Sequence, residues 1–116
     1  MASLNKVQII GNLGQDPEVR QAGQSTVASF SVATSERWTD RAGQKQEKTE
    51  WHRCEAWGRL AEVMGEFTKK GSQVYVEGSL TTEKYTDKDG IDRYTTKVKV
   101  QSVQLLDKRE DGSYQE

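Results

Sequence analysis

The 116 residues contain one cysteine, one proline and one histidine. The lone Cys54 rules out an internal disulfide and a Cys-based zinc framework, and makes a reducing, intracellular setting the default expectation. The lone His52 rules out an HExxH metalloprotease helix, and no GxxxxGK[ST] phosphate loop occurs. Gly11-Asn12-Leu13-Gly14 lacks the glycine spacing and following helix of a dinucleotide fingerprint. Asp87, Asp89 and Gly90 look faintly like a calcium loop, without the bidentate Glu at the required distance. No metal, no cofactor and no enzymatic activity are expected. No stretch approaches the roughly 20 apolar residues of a membrane helix. The first residues, Met1 to Lys6, form neither an apolar signal core nor an Arg-rich transit pattern.

Apolar residues are also scarce, at 33% against 30% charged, so the core must be small and further surface is expected to be buried between subunits. There are 17 basic and 18 acidic residues, for a net charge of −1. A neutral balance argues neither for nor against nucleic acid; the distribution of charge has to decide.

What is present is a series of strands. Lys6 to Gly11 reads as the first, followed by a loop around Gly14 and Pro17. Thr26 to Thr34 is a second, with Ala28, Phe30 and Val32 inward. Residues 35–46 read as a polar loop around Trp38, and 47–57 as the third strand. Leu60, Val63, Met64 and Phe67 recur with the spacing of a short amphipathic helix that puts Phe67 in the core, with Lys69, Lys70 and Gly71 closing it. Gln73 to Glu83 is a fourth strand, with Val74, Val76 and Leu80 inward, leading to a hairpin turn at Asp89-Gly90. Tyr94 to Leu106 is the fifth. Val98 and Val100 differ in parity from Val103 and Leu105, which predicts a bulge near Gln101-Ser102. Five strands with one helix between the third and fourth is the order of an all-β OB-fold, a partly open Greek-key barrel, spanning residues 1–107. Residues 108–116 are polar and expected to be disordered.

The third strand carries the chemistry. Alternation places Thr49, Trp51, Arg53, Glu55 and Trp57 on one face, and Glu50, His52, Cys54 and Ala56 on the other. Ions between two indoles suit an open face better than a dry core. Such a face offers π surfaces for bases and a cation for phosphate. Trp38 between Arg37 and Arg41, and Tyr85 after Lys84, repeat the pattern. Any one of these aromatics could be an ordinary half-buried side chain rimmed by charge; together they point to nucleic acid. Lys6, Arg20, Arg37, Arg41, Lys45, Lys48, Arg53, Arg59, Lys70, Lys84 and Arg93 are the candidate cations, while acids collect at Asp87, Asp89 and Asp92 and at the C-terminal end.

In Asn5-Lys6-Val7, Gly11 to Arg20, Ala33-Thr34-Ser35-Glu36, Thr49 to Arg53, Leu60 to Val63, Lys70 to Gly78 and Asp92 to Thr96, the chain resembles the bacterial-type single-stranded DNA-binding proteins, in order and over nearly its whole length. The resemblance implies a homotetramer that wraps single-stranded DNA with little sequence preference during replication, recombination and repair, in the cytoplasm and with the nucleoid. It assigns base stacking to Trp38, Trp51, Trp57 and Tyr85. Lys6, Arg20, Arg53, Arg59, Lys70, Lys84 and Arg93 match its cationic positions, and Arg41 joins them as a loop cation beside Trp38. His52, Gln73 and Tyr75 fall on positions that it uses between subunits. Glu83 stands where a cation is common. The sequence ends at Asp111-Gly112-Ser113-Tyr114-Gln115-Glu116, without the linker and acidic, hydrophobic-ended tip that recruit replication and repair proteins, which puts those partners in doubt. The competing readings are an OB-fold accessory protein that binds a protein partner or RNA, and an OB-fold nuclease, which would need more groove carboxylates than Glu55.

Overall fold

The computed structural model describes residues 1–107. Its elements are β1 (Val7–Leu13), β2 (Glu18–Ala22), β3 (Ser25–Thr39), β4 (Lys45–Trp57), α1 (Arg59–Phe67), β5 (Gln73–Thr86) and β6 (Asp92–Leu105). The sheet runs β1-β5-β6-β4-β3-β2, and a β1–β3 pairing closes it into a barrel. This is the expected OB-fold. The helix follows the fourth strand rather than the third because a short strand, β2, pairs with β3 from Glu18↔Ser29 to Ala22↔Ser25. Its five residues have no alternating apolar pattern, so nothing in the sequence set it apart from a loop.

The core is small, as the composition required. Ile9, Leu13, Ala28, Phe30, Val32, Val74, Val76, Val98 and Val100 fill the barrel from its strands, with Cys54 and Ala56 from β4. Burial pushes the Cys54 thiol up to about 12, so it stays protonated and inert at neutral pH. Helix α1 covers one end through Ala61 and Met64. Close approach of β1 and β3 depends on Gly11, where a side chain would strike the Ala33 carbonyl and the Val32 side chain.

Several local expectations give way to tertiary packing. Residues 35–46 are not a loop: β3 and β4 continue outward in register from Ser35↔Thr49 to Thr39↔Lys45, and only Asp40 to Gln44 turn. The Asp40 carboxylate accepts the amides of Ala42 and Gln44, a local closure that polar residues provide without a core. Phe67, the last residue of the helix, is 52% exposed, and Leu80 is also exposed although it pairs with the buried Val98. The helix ends before Lys69: Thr68 is extended, and its amide and hydroxyl both donate to the Met64 carbonyl. Gly71 closes a separate turn. The bulge is where the parity switch put it, with Glu77 opposite Ser102, Gly78 opposite Val100 and Gln101 left over. Among the described residues no helix is long and apolar enough to cross a membrane.

Candidate nucleic-acid interface

The odd-numbered residues of β4 are outward. Trp51 is 57% exposed and Trp57 43%, whereas Cys54 and Ala56 point into the core. β3 places small residues beside Trp51, Arg53 and Glu55, with Ala33, Ser31 and Ser29 opposite them, and Val27 opposite Trp57, and both indoles keep a large part of their surface exposed. Trp51 lies against Gly14; a methyl group there would collide with the ring, so only glycine lets the indole rest on the backbone. Trp51 and Arg53, with Gly14, Asp16, Ser29 and Ser31, line an open cleft of about 520 Å³.

Further along β4, Glu55 Oε1 accepts the Trp57 indole N–H at 3.0 Å, and its Oε2 accepts Lys97 Nζ at 2.8 Å. Lys97 also meets Glu83 at 3.1 Å. Burial alone would raise the Glu55 carboxyl; the Lys97 and Trp57 hydrogen bonds, with the charges of Lys97 and Arg20, outweigh it and hold Glu55 below the usual carboxylate range. Trp57, Glu55, Glu83, Lys97, Lys99 and Thr81 surround a second cleft of about 380 Å³. Glu83 is therefore a second groove carboxylate, which the sequence reading did not count. A lysine sits between the two acids, and among the described residues no group of three or more His, Cys, Asp or Glu could hold a metal ion.

Register carries this face onto the β5–β6 arm. Glu83, Tyr85, Arg93 and Lys97 alternate outward on the same side, and Tyr85 pairs directly with Arg93. Arg93 is not free, because its Nε meets Asp87 at 2.9 Å. Lys84 has the other parity and pairs with Asp92 at 3.2 Å. The acids of the hairpin tip thus neutralise two candidate cations instead of lying apart from them. Asp87 accepts the amide of Ile91 and the Arg93 guanidinium, which hold it below the usual range.

The remaining candidates divide. Arg20, on β2, is close enough to Glu55 to lower its pKa. Lys70 sits in the turn that closes on Asp16, its amide 2.8 Å from that carboxylate, at the rim of the Trp51 cleft. Arg59 opens the helix and meets Glu62 at 3.8 Å. Trp38 pairs with Gln46 and shares the parity of Thr34 and His52, so it belongs to the far arm and to the other side of that ribbon from Trp51. It lies in its own cleft with Arg37, Lys45 and Glu47, next to the turn that carries Arg41. His52 Nε2 is 2.9 Å from the Thr34 hydroxyl, opposite the Trp51 face. Lys6 pairs with Glu77 at 2.8 Å on the outer side of β1 and β5, where Tyr75 accepts a hydrogen bond from Gln8. Gln73, at the start of β5, lies two residues from Tyr75 on the same parity.

Lys97, Lys99 and Gly14 line the two clefts and were missed. Lys97 and Lys99 could have been found, since they alternate with Val98 and Val100 in a strand with one buried side. Gly14 could not, because its partner Trp51 is distant in sequence.

The family model for single-strand binding proteins matches residues 4–106. The chain is 54% identical, over 116 aligned residues, to Single-stranded DNA-binding protein 1 of Xylella fastidiosa (strain 9a5c), covering 97% of this chain and 85% of that one. Its fold is similar to that of the Plasmodium falciparum SSB in complex with ssDNA, with a TM-score of 0.85 and 32% identity over 92% of this chain and 98% of that one.

Proposed function

Because the chain belongs to the single-strand binding protein family, we propose that it binds single-stranded DNA by stacking bases on Trp51, Trp57 and Tyr85, with Trp38 holding strand on the β3–β4 arm. The observation that carries this reading is the uncovered face of Trp51, Arg53, Glu55 and Trp57, continued by register to Tyr85. Stacking accepts any base, so little sequence preference is expected. Arg20, Arg41, Arg53 and Lys70 pair with phosphate; Lys6, Arg59, Lys84 and Arg93 do so by exchanging their present carboxylate partners. The protein performs no reaction, assembles as a homotetramer through surfaces that include His52, Gln73 and Tyr75, and serves replication, recombination and repair in the cytoplasm with the nucleoid. Titration with poly(dT) tests the binding. Strong quenching of tryptophan fluorescence is expected, and unchanged emission at saturating DNA would overturn the stacking scheme.

A further inference from the structure

Beneath the exposed Trp57 lies a nearly buried ion pair. The Lys97 and Glu55 side chains are only 17% and 14% exposed, yet the surface around them is open. Desolvating two charges beside a binding surface costs free energy that a pair of apolar side chains would not. Glu55 connects this pair to the indole: one oxygen takes Lys97 Nζ and the other takes the Trp57 N–H. Glu83 forms a second ion pair with the ammonium at 3.1 Å, so two carboxylates hold Lys97. The surroundings of Lys97 thus carry two carboxylates within 3.1 Å, an unfavourable setting for a phosphate.

The geometry points to Lys97 as a positioning residue that acts through Glu55 to orient the Trp57 indole for base stacking, and not as a phosphate contact. This rests on the single-stranded DNA reading above. A ring tethered at its N–H loses less rotamer freedom when a base arrives, so the tether stabilises the bound state relative to an untethered ring. Lys97 itself touches no DNA. Removing its ammonium leaves Glu55 without its hydrogen-bonded cation, with only the more distant charge of Arg20, and the carboxylate then turns to water and releases the indole. A neutral amide at position 55 can accept the Trp57 N–H without needing a cation, so Glu55→Gln should repair what Lys97→Met breaks.

The test uses a parent in which Trp38 and Trp51 are replaced by Phe, leaving Trp57 as the reporter. Lys97→Met should lower the fluorescence anisotropy of Trp57 and weaken dT oligonucleotide binding roughly fivefold to tenfold, a part of one stacking contribution. The salt slope of binding should stay unchanged. Lys97→Arg and the Lys97→Met/Glu55→Gln double variant should both recover anisotropy and affinity, which a general folding defect would not allow. A slope flattened by about 0.7 in Lys97→Met would make Lys97 a phosphate contact and overturn the proposal. So would an unaltered Trp57 signal with unaltered affinity. If the unsubstituted protein, with all three tryptophans in place, failed to bind dT oligonucleotides, the reading of the whole face would fall, a separate result from either of these.

Discussion

At the scale of single residues, burial separates core from surface aromatics. Phe30 is buried and Trp51 is not, although both lie on barrel strands. Trp51→Ala should therefore weaken single-stranded DNA binding by roughly 1–3 kcal/mol and leave the urea midpoint near that of the parent. Unchanged affinity together with a lowered midpoint would make Trp51 a core residue. Glu55 gives a prediction in pH. Its folded pKa lies below the ordinary carboxylate value, so its contribution to stability is full above that value and disappears as pH falls through the folded one. Asp40, held down by the Gln44 amide and the Gln46 side chain, and Asp87 share this sign. Stability should be flat from neutral pH to about 5 and decline below about 4. Glu55→Gln should make the decline shallower without abolishing it; superimposable acid profiles for the two proteins would contradict the assignment. The exposed face of β4 was legible from alternation, but the bond between Glu55 and Lys97 was not, because 42 residues separate them.

Secondary-structure elements show what a small core does to long strands. β3 and β4 pair over thirteen steps, from Val27↔Trp57 to Thr39↔Lys45, but only the first part of the ribbon covers the barrel. Beyond Ser35 and Thr49 both sides are solvated, so apolar alternation vanishes and the segment looks like a loop in sequence. Phe67 fails for the related reason that the helical period continues to the last residue of α1, where it is exposed. The barrel closes only through Asn12↔Ala33 and Leu13↔Val32, next to Gly11. Gly11→Ala should force β1 off β3 and cost about 1–3 kcal/mol, seen as a lower urea midpoint, with affinity per folded molecule preserved. A midpoint equal to the parent's would show that the closure tolerates a methyl group.

For the whole molecule, charge pairing matters more than net charge. Lys6, Arg59, Lys84 and Arg93 face carboxylates, whereas Arg20, Arg41, Arg53 and Lys70 have no ion-pair partner among the described residues. Binding should weaken linearly in log–log plots against salt. Arg53→Gln should flatten the slope by about 0.7, as expected for one lost phosphate contact on a single strand, and Lys84→Gln by less because its counter-charge is Asp92. A slope near zero in the parent would show that these cations form no phosphate path. Assembly is the second property at this scale. Cys54 and Ala56 are core residues and offer no close approach for a partner, but β1 leaves the second edge of Val7 to Gly11 unpaired and Ile10 exposed. Exposed edges of this kind invite pairing with another chain. Light scattering at micromolar concentration should give a tetramer mass, and His52→Lys should shift it toward smaller species. Monomer mass in the parent would refute assembly, and an undisturbed tetramer in the variant would remove His52 from the interface.

The sequence by itself determined five of the six strands, the position of the helix between two strand groups, the β6 bulge and the open face of Trp51, Arg53, Glu55 and Trp57. Each of these rests on periodicity or on neighbours a few residues apart, which local alternation records. Tertiary structure alone decided which cations are already paired, that Lys97 is held by Glu55 and Glu83, that Trp51 rests on Gly14, and that Trp38 belongs to another side of the ribbon. These depend on which strands become neighbours when the barrel closes and how far each ribbon outlasts the core, and contacts across such distances leave no period in the chain.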